Sequence, residues 1–234
     1  MIYAAVLAGG KGTRMQNTDI PKQFLELSDK AIIIHTVEKM LLNPRIDKVY
    51  IGINADWVEY CEDLVFKSIG NNDKIIIVPG GSDRNGTISN ILDDIEARFG
   101  INEDDIIITH DAVRPFLTQR IIDENIDGAI KYGAVDTVIP ASDTIVCSLD
   151  TETIDSVPDR ANLYQGQTPQ TFNIKLLKEC MSLITDDERE ILTDACKIFV
   201  LKGKPVHLVK GEVLNFKITT IGDYQMARAM IAIK

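Results

Sequence analysis

The sequence predicts an α/β fold of three layers, a mostly parallel sheet with helices on both faces, carrying a protruding β-arm. Two observations predict the sheet. Strand-like and helix-like segments alternate over the first two-thirds of the chain, the pattern of parallel strands joined by crossover helices. The first strand-like segment, Ile2 to Leu7, is an unbroken apolar run, as expected of a strand covered on both faces. A third observation predicts the arm: from Ser142 to Thr171 no long helix is suggested, and the polar stretch SLDTETIDSVPDR fills the middle.

The other segments follow in order. Ile32 to Leu42 reads as a helix and Lys48 to Ile53 as a strand. Val58, Cys61, Val65 and Ile69 recur at helical spacing, and Lys74 to Val78 is the next strand. Ile88, Ile91, Leu92, Ile95 and Phe99 give the clearest amphipathic helix. Asp105 to Thr109 is a short β-branched strand, Ile121 to Ile130 a helix and Ala134 to Pro140 a strand. In the arm, Thr144 to Cys147 and Asn162 to Gln165 read as strands. Helical patterns resume at Ile174 to Ile184 and Glu190 to Val200. Val206 to Val209 and Asn215 to Thr219 read as late strands, and Asp223 to Ile233 as a closing helix. Residues 1–234 are expected to form one domain, with the arm (about 142–171) inserted.

Composition narrows the function. The net charge is −10, and no block of Lys and Arg interrupts it, so nucleic acid is not an expected partner. A small anion needs only local cations, and cations grouped near a glycine loop carry more information against an acidic background. Cys61, Cys147, Cys180 and Cys196 form no C-x-x-C pair and lie in apolar segments, which reads as buried free thiols. No run approaches a membrane span and no signal peptide is recognised, so a cytoplasmic location is expected.

In an open parallel sheet, ligands sit beyond the carboxyl ends of the strands. After the first strand come Ala8, Gly9, Gly10, Lys11, Gly12, Thr13 and Arg14. After the third come Gly80, Gly81, Ser82, Asp83, Arg84 and Asn85, and after the fourth His110, Asp111, Ala112, Val113, Arg114 and Pro115. Glycine lets backbone N–H groups close around an anion, and a following helix adds its positive end. With Lys11, Arg14, Lys22 and Arg84 nearby, the two glycine loops point to phosphate binding. The P-loop pattern is absent, and the dinucleotide fingerprint fails because Met15 stands where its third glycine would be.

The segments LAGGKGTRM, PKQFLEL, GGSDRNGT, HDAVRPF, LYQGQTPQTF and KITT together resemble the cytidylyltransferases that load a sugar-alcohol phosphate onto CTP. The resemblance runs over nearly the whole chain in consistent order. It implies a Rossmann-like nucleotidyltransferase fold. Two branches compete, one making CDP-methylerythritol for isoprenoids and one making CDP-ribitol for teichoic acids of the cell wall. The double glycine of LAGG, the stretch ILTDACKIF and KGEVLNFKITT look closer to the enzymes of D-ribitol 5-phosphate.

The resemblance also implies roles. Leu7, Ala8, Gly9 and Gly10 would hold CTP, with Gly81, Ser82, Asp83, Arg84, Asn85, Gly86 and Thr87 taking its ribose and cytosine and Ala112 beside it. Arg14 and Lys22 would be catalytic, stabilising charge on the α- and β-phosphates, and Asp111 would help hold Mg²⁺. Arg160 and Lys217 would position the acceptor phosphate, with Thr168 close to the acceptor. Arg160 would reach from the β-arm across the interface of a homodimer. A reductase supplying ribitol phosphate would be a pathway partner. The chemistry suits these residue types: a phosphate monoester is already an anionic nucleophile, so the task is to bring two anions together and stabilise the developing charge.

Simpler roles stand beside these. Pattern alone makes Arg160 a surface residue of a polar arm, and Arg114 a partner for an internal carboxylate. Lys217 interrupts an apolar late strand, an odd place for a buried cation and hence a site signal. His35, His110 and His207 show no metal spacing and read as structural, and Trp57 reads as packing at a helix start.

Overall fold

The computed structural model describes residues 1–10 and 20–232. Arg14, with Lys11 and Gly12 of the first glycine loop, lies outside the described residues. The elements in chain order are β1 (Ile2–Ala8), a hairpin of β2 (Glu26–Leu27) and β3 (Lys30–Ala31), α1 (Ile32–Leu41), β4 (Lys48–Ile53), α2 (Val58–Ile69), β5 (Ile75–Pro79), α3 (Arg84–Phe99), β6 (Ile106–Asp111), α4 (Gln119–Tyr132) and β7 (Ala134–Pro140). Then come β8 (Tyr164–Asn173), α5 (Ile174–Ser182), α6 (Asp186–Glu190), α7 (Ala195–Leu201), β9 (His207–Lys210) and α8 (Ile221–Ala232).

The seven-stranded sheet runs β5-β4-β1-β6-β8-β7-β9. β5, β4, β1 and β6 are mutually parallel, β8 lies antiparallel between β6 and β7, and β9 is parallel to β7. The expected three layers and mostly parallel sheet are what the chain forms. The apolar run of β1 explains its central place, because alternate side chains feed two cores. Ala4, Val6 and Ala8 pack with Ile33, Val37 and Ile51 on one face. Tyr3, Ala5 and Leu7 pack with Ile88, Ile91 and Leu92 of α3 on the other.

Four expectations need correction. First, residues 164–171 are not arm but most of β8. Their sequence is too polar to read as a buried strand, and from Gln167 onward it is buried because its polar groups find internal partners. Thr171 Oγ1 donates to Asn125 Oδ1 at 3.1 Å, and Thr137 Oγ1 donates to the Pro169 carbonyl at 2.7 Å. The arm itself lies between β7 and β8, and of the expected strand at Thr144 to Cys147 only a single bridge from Cys147 to Ser156 forms. Second, Cys147 is exposed on this arm, whereas Cys61, Cys180 and Cys196 are buried thiols. Third, Asn215 to Thr219 forms no strand. Its backbone is held instead by single bonds to other loops, such as Ile218 N donating to the Val113 carbonyl at 2.9 Å. Fourth, the helix expected at Glu190 to Val200 is divided, because Asp194 caps a new start at α7 by accepting from Lys197 N at 2.9 Å.

Candidate active site

The carboxyl ends of β1, β4 and β6 open onto a cleft of about 510 Å³. Leu7, Ala8, Gly9 and Gly10 line it where β1 ends, and Asp111 and Ala112 line it where β6 ends. The two loops are tied together, since Ala112 N donates to the Leu7 carbonyl at 3.1 Å and Thr36 Oγ1 of α1 donates to the Ala112 carbonyl at 2.9 Å. Gln23 fixes the first loop from below, donating to the Ala8 carbonyl at 2.7 Å.

The opposite wall is the loop into α3, through Gly81, Ser82, Asp83, Arg84 and Thr87. Asp83 caps the helix by accepting from Gly86 N at 2.8 Å. Thr87 Oγ1 accepts from Gly81 N at 3.1 Å and donates to the Asp83 carbonyl at 2.9 Å. The loop is thus folded tightly onto the first turn, so that a Cβ on Gly81 would sit 2.7 Å from Gly86 Cα and 2.8 Å from its carbonyl oxygen. The helix is 16 residues long, and its N-terminus presents partial positive charge to the cleft.

Three cations line the described cleft: Lys22, Arg84 and Lys217. Lys22 opens a 3₁₀ turn directly after Pro21, and its Nζ donates to the Ile218 carbonyl at 3.0 Å. Asp111 gathers the others. Arg84 pairs with its Oδ1, while Arg114 Nε and Lys217 Nζ each lie 3.1 Å from Oδ2. Burial opposes ionisation of Asp111, but Arg84, Lys217 and Arg114 outweigh it and hold the carboxyl well below the usual range. Arg114 is the partner of an internal carboxylate that its sequence position suggests. It also donates through Nη1 to the Asn215 carbonyl at 2.8 Å.

His110 is buried behind this group, and burial pushes its pKa down to about 3, so its ring is neutral. Its Nε2 faces the Arg114 carbonyl at 3.2 Å, which only a protonated nitrogen can satisfy, leaving Nδ1 as an acceptor. Thr168 Oγ1, 2.9 Å from Nδ1, therefore donates to it and accepts from Asp111 N at 3.2 Å. Thr168 is 4% exposed, and its hydroxyl is used by these two internal partners.

The fold brings together most of the residues singled out in the sequence, but not all. Asn85, Gly86 and Thr168 lie beside the cleft without lining it. Arg160 stands at the base of the arm, where its Nη1 donates to the Ser142 carbonyl at 2.9 Å, and it does not line the cleft of its own chain. Trp57 packs on Phe24 and Tyr60 at the start of α2. Gln23 and Asn54 also line the cleft, though the sequence assigns them no role, as does Val113 of the loop expected after the fourth strand. Asn54 directly follows β4, so the rule that ligands gather after parallel strands would have found it.

The arrangement combines glycine loops, a helix N-terminus and cations around one ionised carboxylate, and it can grip a polyphosphate. No cluster of three His, Cys, Asp or Glu side chains able to hold a metal occurs among the described residues. A Mg²⁺ carried in by phosphates would need one or two carboxylates, and among the described residues Asp111 and Asp83 are the carboxylates that line the cleft.

Comparison with known proteins agrees. Residues 2–232 match the IspD family, described as 2-C-methyl-D-erythritol 4-phosphate cytidylyltransferase. A solved 4-diphosphocytidyl-2C-methyl-D-erythritol synthase from Anaerococcus prevotii is 27% identical, with a TM-score of 0.78 over 99% of this chain and 96% of that one. The 2-C-methyl-D-erythritol 4-phosphate cytidylyltransferase of Francisella tularensis is 24% identical, with a TM-score of 0.81 over 97% of this chain and 98% of that one, and it shows the same fold. With the cleft at the sheet edge and this match over almost its whole length, the chain belongs to the IspD family of cytidylyltransferases.

Proposed function

We propose that the chain transfers the cytidylyl group of CTP to the phosphate of a polyol phosphate. An oxygen of the acceptor phosphate attacks the α-phosphorus, the bond from that phosphorus to the bridging oxygen of the β-phosphate breaks, and pyrophosphate leaves. The observation that carries this reading is the ionised Asp111 held by Arg84, Arg114 and Lys217 at the foot of a glycine-lined cleft. Such a group presents cations at fixed positions before substrate arrives, which is what a reaction between two anions needs.

In this reading Leu7 to Gly10 and Gly81 to Thr87 hold the nucleotide beside Ala112. Lys22, with Arg14, meets the charge on the α- and β-phosphates. Lys217 and Arg160 take the acceptor phosphate. Because Arg160 is on the arm, it acts on the cleft of a second copy, which makes the working form a homodimer through the arm. Exposed Leu149, Ile154 and Val157 on the arm are apolar surface for such contact. Asp111 would hold Mg²⁺, which would supply positive charge to offset that of the phosphates.

Two acceptors are in view. The stretches ILTDACKIF and KGEVLNFKITT favour D-ribitol 5-phosphate, giving CDP-ribitol for wall teichoic acid, with a reductase supplying the acceptor in the cytoplasm. The family description and the solved relatives favour 2-C-methyl-D-erythritol 4-phosphate, giving the isoprenoid intermediate. Measuring kcat/KM for each acceptor at saturating CTP separates them. A preference of 10³-fold or more is the scale expected when a site's polar groups are built for one pattern of hydroxyls, order of magnitude about 10⁴. No turnover of either acceptor by folded protein would refute the proposal.

A further inference from the structure

The stretch from Gly211 to Thr220 has no regular secondary structure, yet two cations of the cleft converge on it. Lys217 reaches Asp111, and Lys22 donates to the carbonyl of the next residue, Ile218. An irregular segment offers a lysine no fixed position by itself, since no helix or sheet ladder sets its backbone. Asn215, two residues before Lys217, supplies what the ladder would. It is fully buried. Its Nδ2 donates to the Thr168 carbonyl of β8 at 2.8 Å and to Gln167 Oε1 at 3.3 Å. Its own carbonyl accepts from Arg114, which also holds Asp111. One residue thus links the segment of Lys217 both to the sheet and to the carboxylate that Lys217 meets. Its Oδ1 has no hydrogen-bond partner among the described residues.

We infer that Asn215 is a positioning residue for Lys217, fastening the segment to β8 so that the ammonium is held where acceptor phosphate and Asp111 meet. The inference rests on the proposed role of Lys217 toward the acceptor. It assigns Asn215 no contact with substrate. Its loss should weaken use of the acceptor while leaving the glycine loops in place, and Lys22 should keep its anchor for CTP because Ile218 is held separately by its N–H on the Val113 carbonyl.

The test is a double-mutant cycle between Asn215→Leu, which keeps the volume and removes both donors, and Lys217→Met. Asn215→Ala serves as a second variant if leucine disturbs the fold. The Arg114 bond goes to the backbone and survives both changes. With Asn215→Leu, kcat/KM for the acceptor should fall about tenfold to 10²-fold, the scale of a misplaced catalytic group. CTP affinity by calorimetry should stay within about twofold, and in the Lys217→Met background Asn215→Leu should add less than about twofold, because the two residues act as one. The inference is overturned if the Asn215 effect adds in full on top of Lys217→Met, or if CTP affinity falls in step with acceptor use. If Lys217→Met alone leaves acceptor kcat/KM unchanged, the role of Lys217 itself is wrong and this inference falls with it.

Discussion

Gly81→Ala isolates the nucleotide loop from the rest of the molecule. The new methyl would stand 2.7 Å from Gly86 Cα, whereas ordinary contact begins at 3.4 Å. The opposing atoms are backbone, with the Gly86 carbonyl carbon closer still, so no side chain can swing aside, and the two sides of the loop must part by about 1 Å, a displacement for which close-packed interiors have no slack. A shift of that size moves the amides of 81–83 off any phosphate or base they hold, and misplacement by about 1 Å costs about 10²-fold. CTP affinity by titration calorimetry and turnover at saturating acceptor are the readouts, with thermal melting as the control for folding. Gly10→Ala is the counterpart, because a Cβ there meets no atom of the described residues within 4 Å. It should leave the melting temperature unchanged and weaken CTP, since no described residue meets the methyl. A folded Gly81→Ala that bound and used CTP like the native chain would refute the assignment of this loop.

Three further outcomes follow from the buried charges. Asp111→Asn leaves Arg84, Arg114 and Lys217 without their shared anion, and chemical denaturation should show a loss of about 3–5 kcal/mol, the cost of breaking a buried pair. Because the Asp111 carboxyl titrates below its unfolded value, that contribution is present at neutral pH and lost only in strong acid, so a variant within about 1 kcal/mol of native would contradict the network. His110, held neutral down to about pH 3, makes the unfolded chain bind the extra proton below its ordinary pKa of 6.5, so it lowers stability by about 2 kcal/mol between pH 6.5 and 5. His110→Gln should remove that slope from a pH series of denaturation midpoints. Asp136 is the opposite case: burial pushes its carboxyl up to about 6, so the folded state holds the proton and stability falls as pH rises from 4 to 6. Asp136→Asn should therefore stabilise the fold at pH 7 by about 2–3 kcal/mol, and destabilisation there would show that its charge is paired after all.

The parallel half of the sheet was legible because each strand there is an apolar run with a helix stripe behind it. The walls of the cleft were legible for the same reason, since strand ends locate them and glycine marks where backbone comes close. β8 was not, because TPQT reads as loop until Asn125 and Thr137 supply partners for it. Those partners are remote in sequence and leave no periodic trace. Lys217 was found on a false premise: it lies on an irregular segment rather than a strand, though its position as a cation among apolar neighbours did mark the site. The bracket formed by Asn215 and the hydroxyl chain from Asp111 through Thr168 to His110 had no sequence signal, as the first joins an irregular segment to β8 and the second joins β6 to β8, residues remote from one another along the chain.

The most direct test of the central claim is pyrophosphate release from CTP and Mg²⁺ with D-ribitol 5-phosphate or 2-C-methyl-D-erythritol 4-phosphate, run on the native chain and on Lys217→Met. Release should require one of the two acceptors, match CDP-polyol formed one for one, and collapse in the variant. Release without acceptor, or none with either acceptor from folded protein that binds CTP, would contradict it.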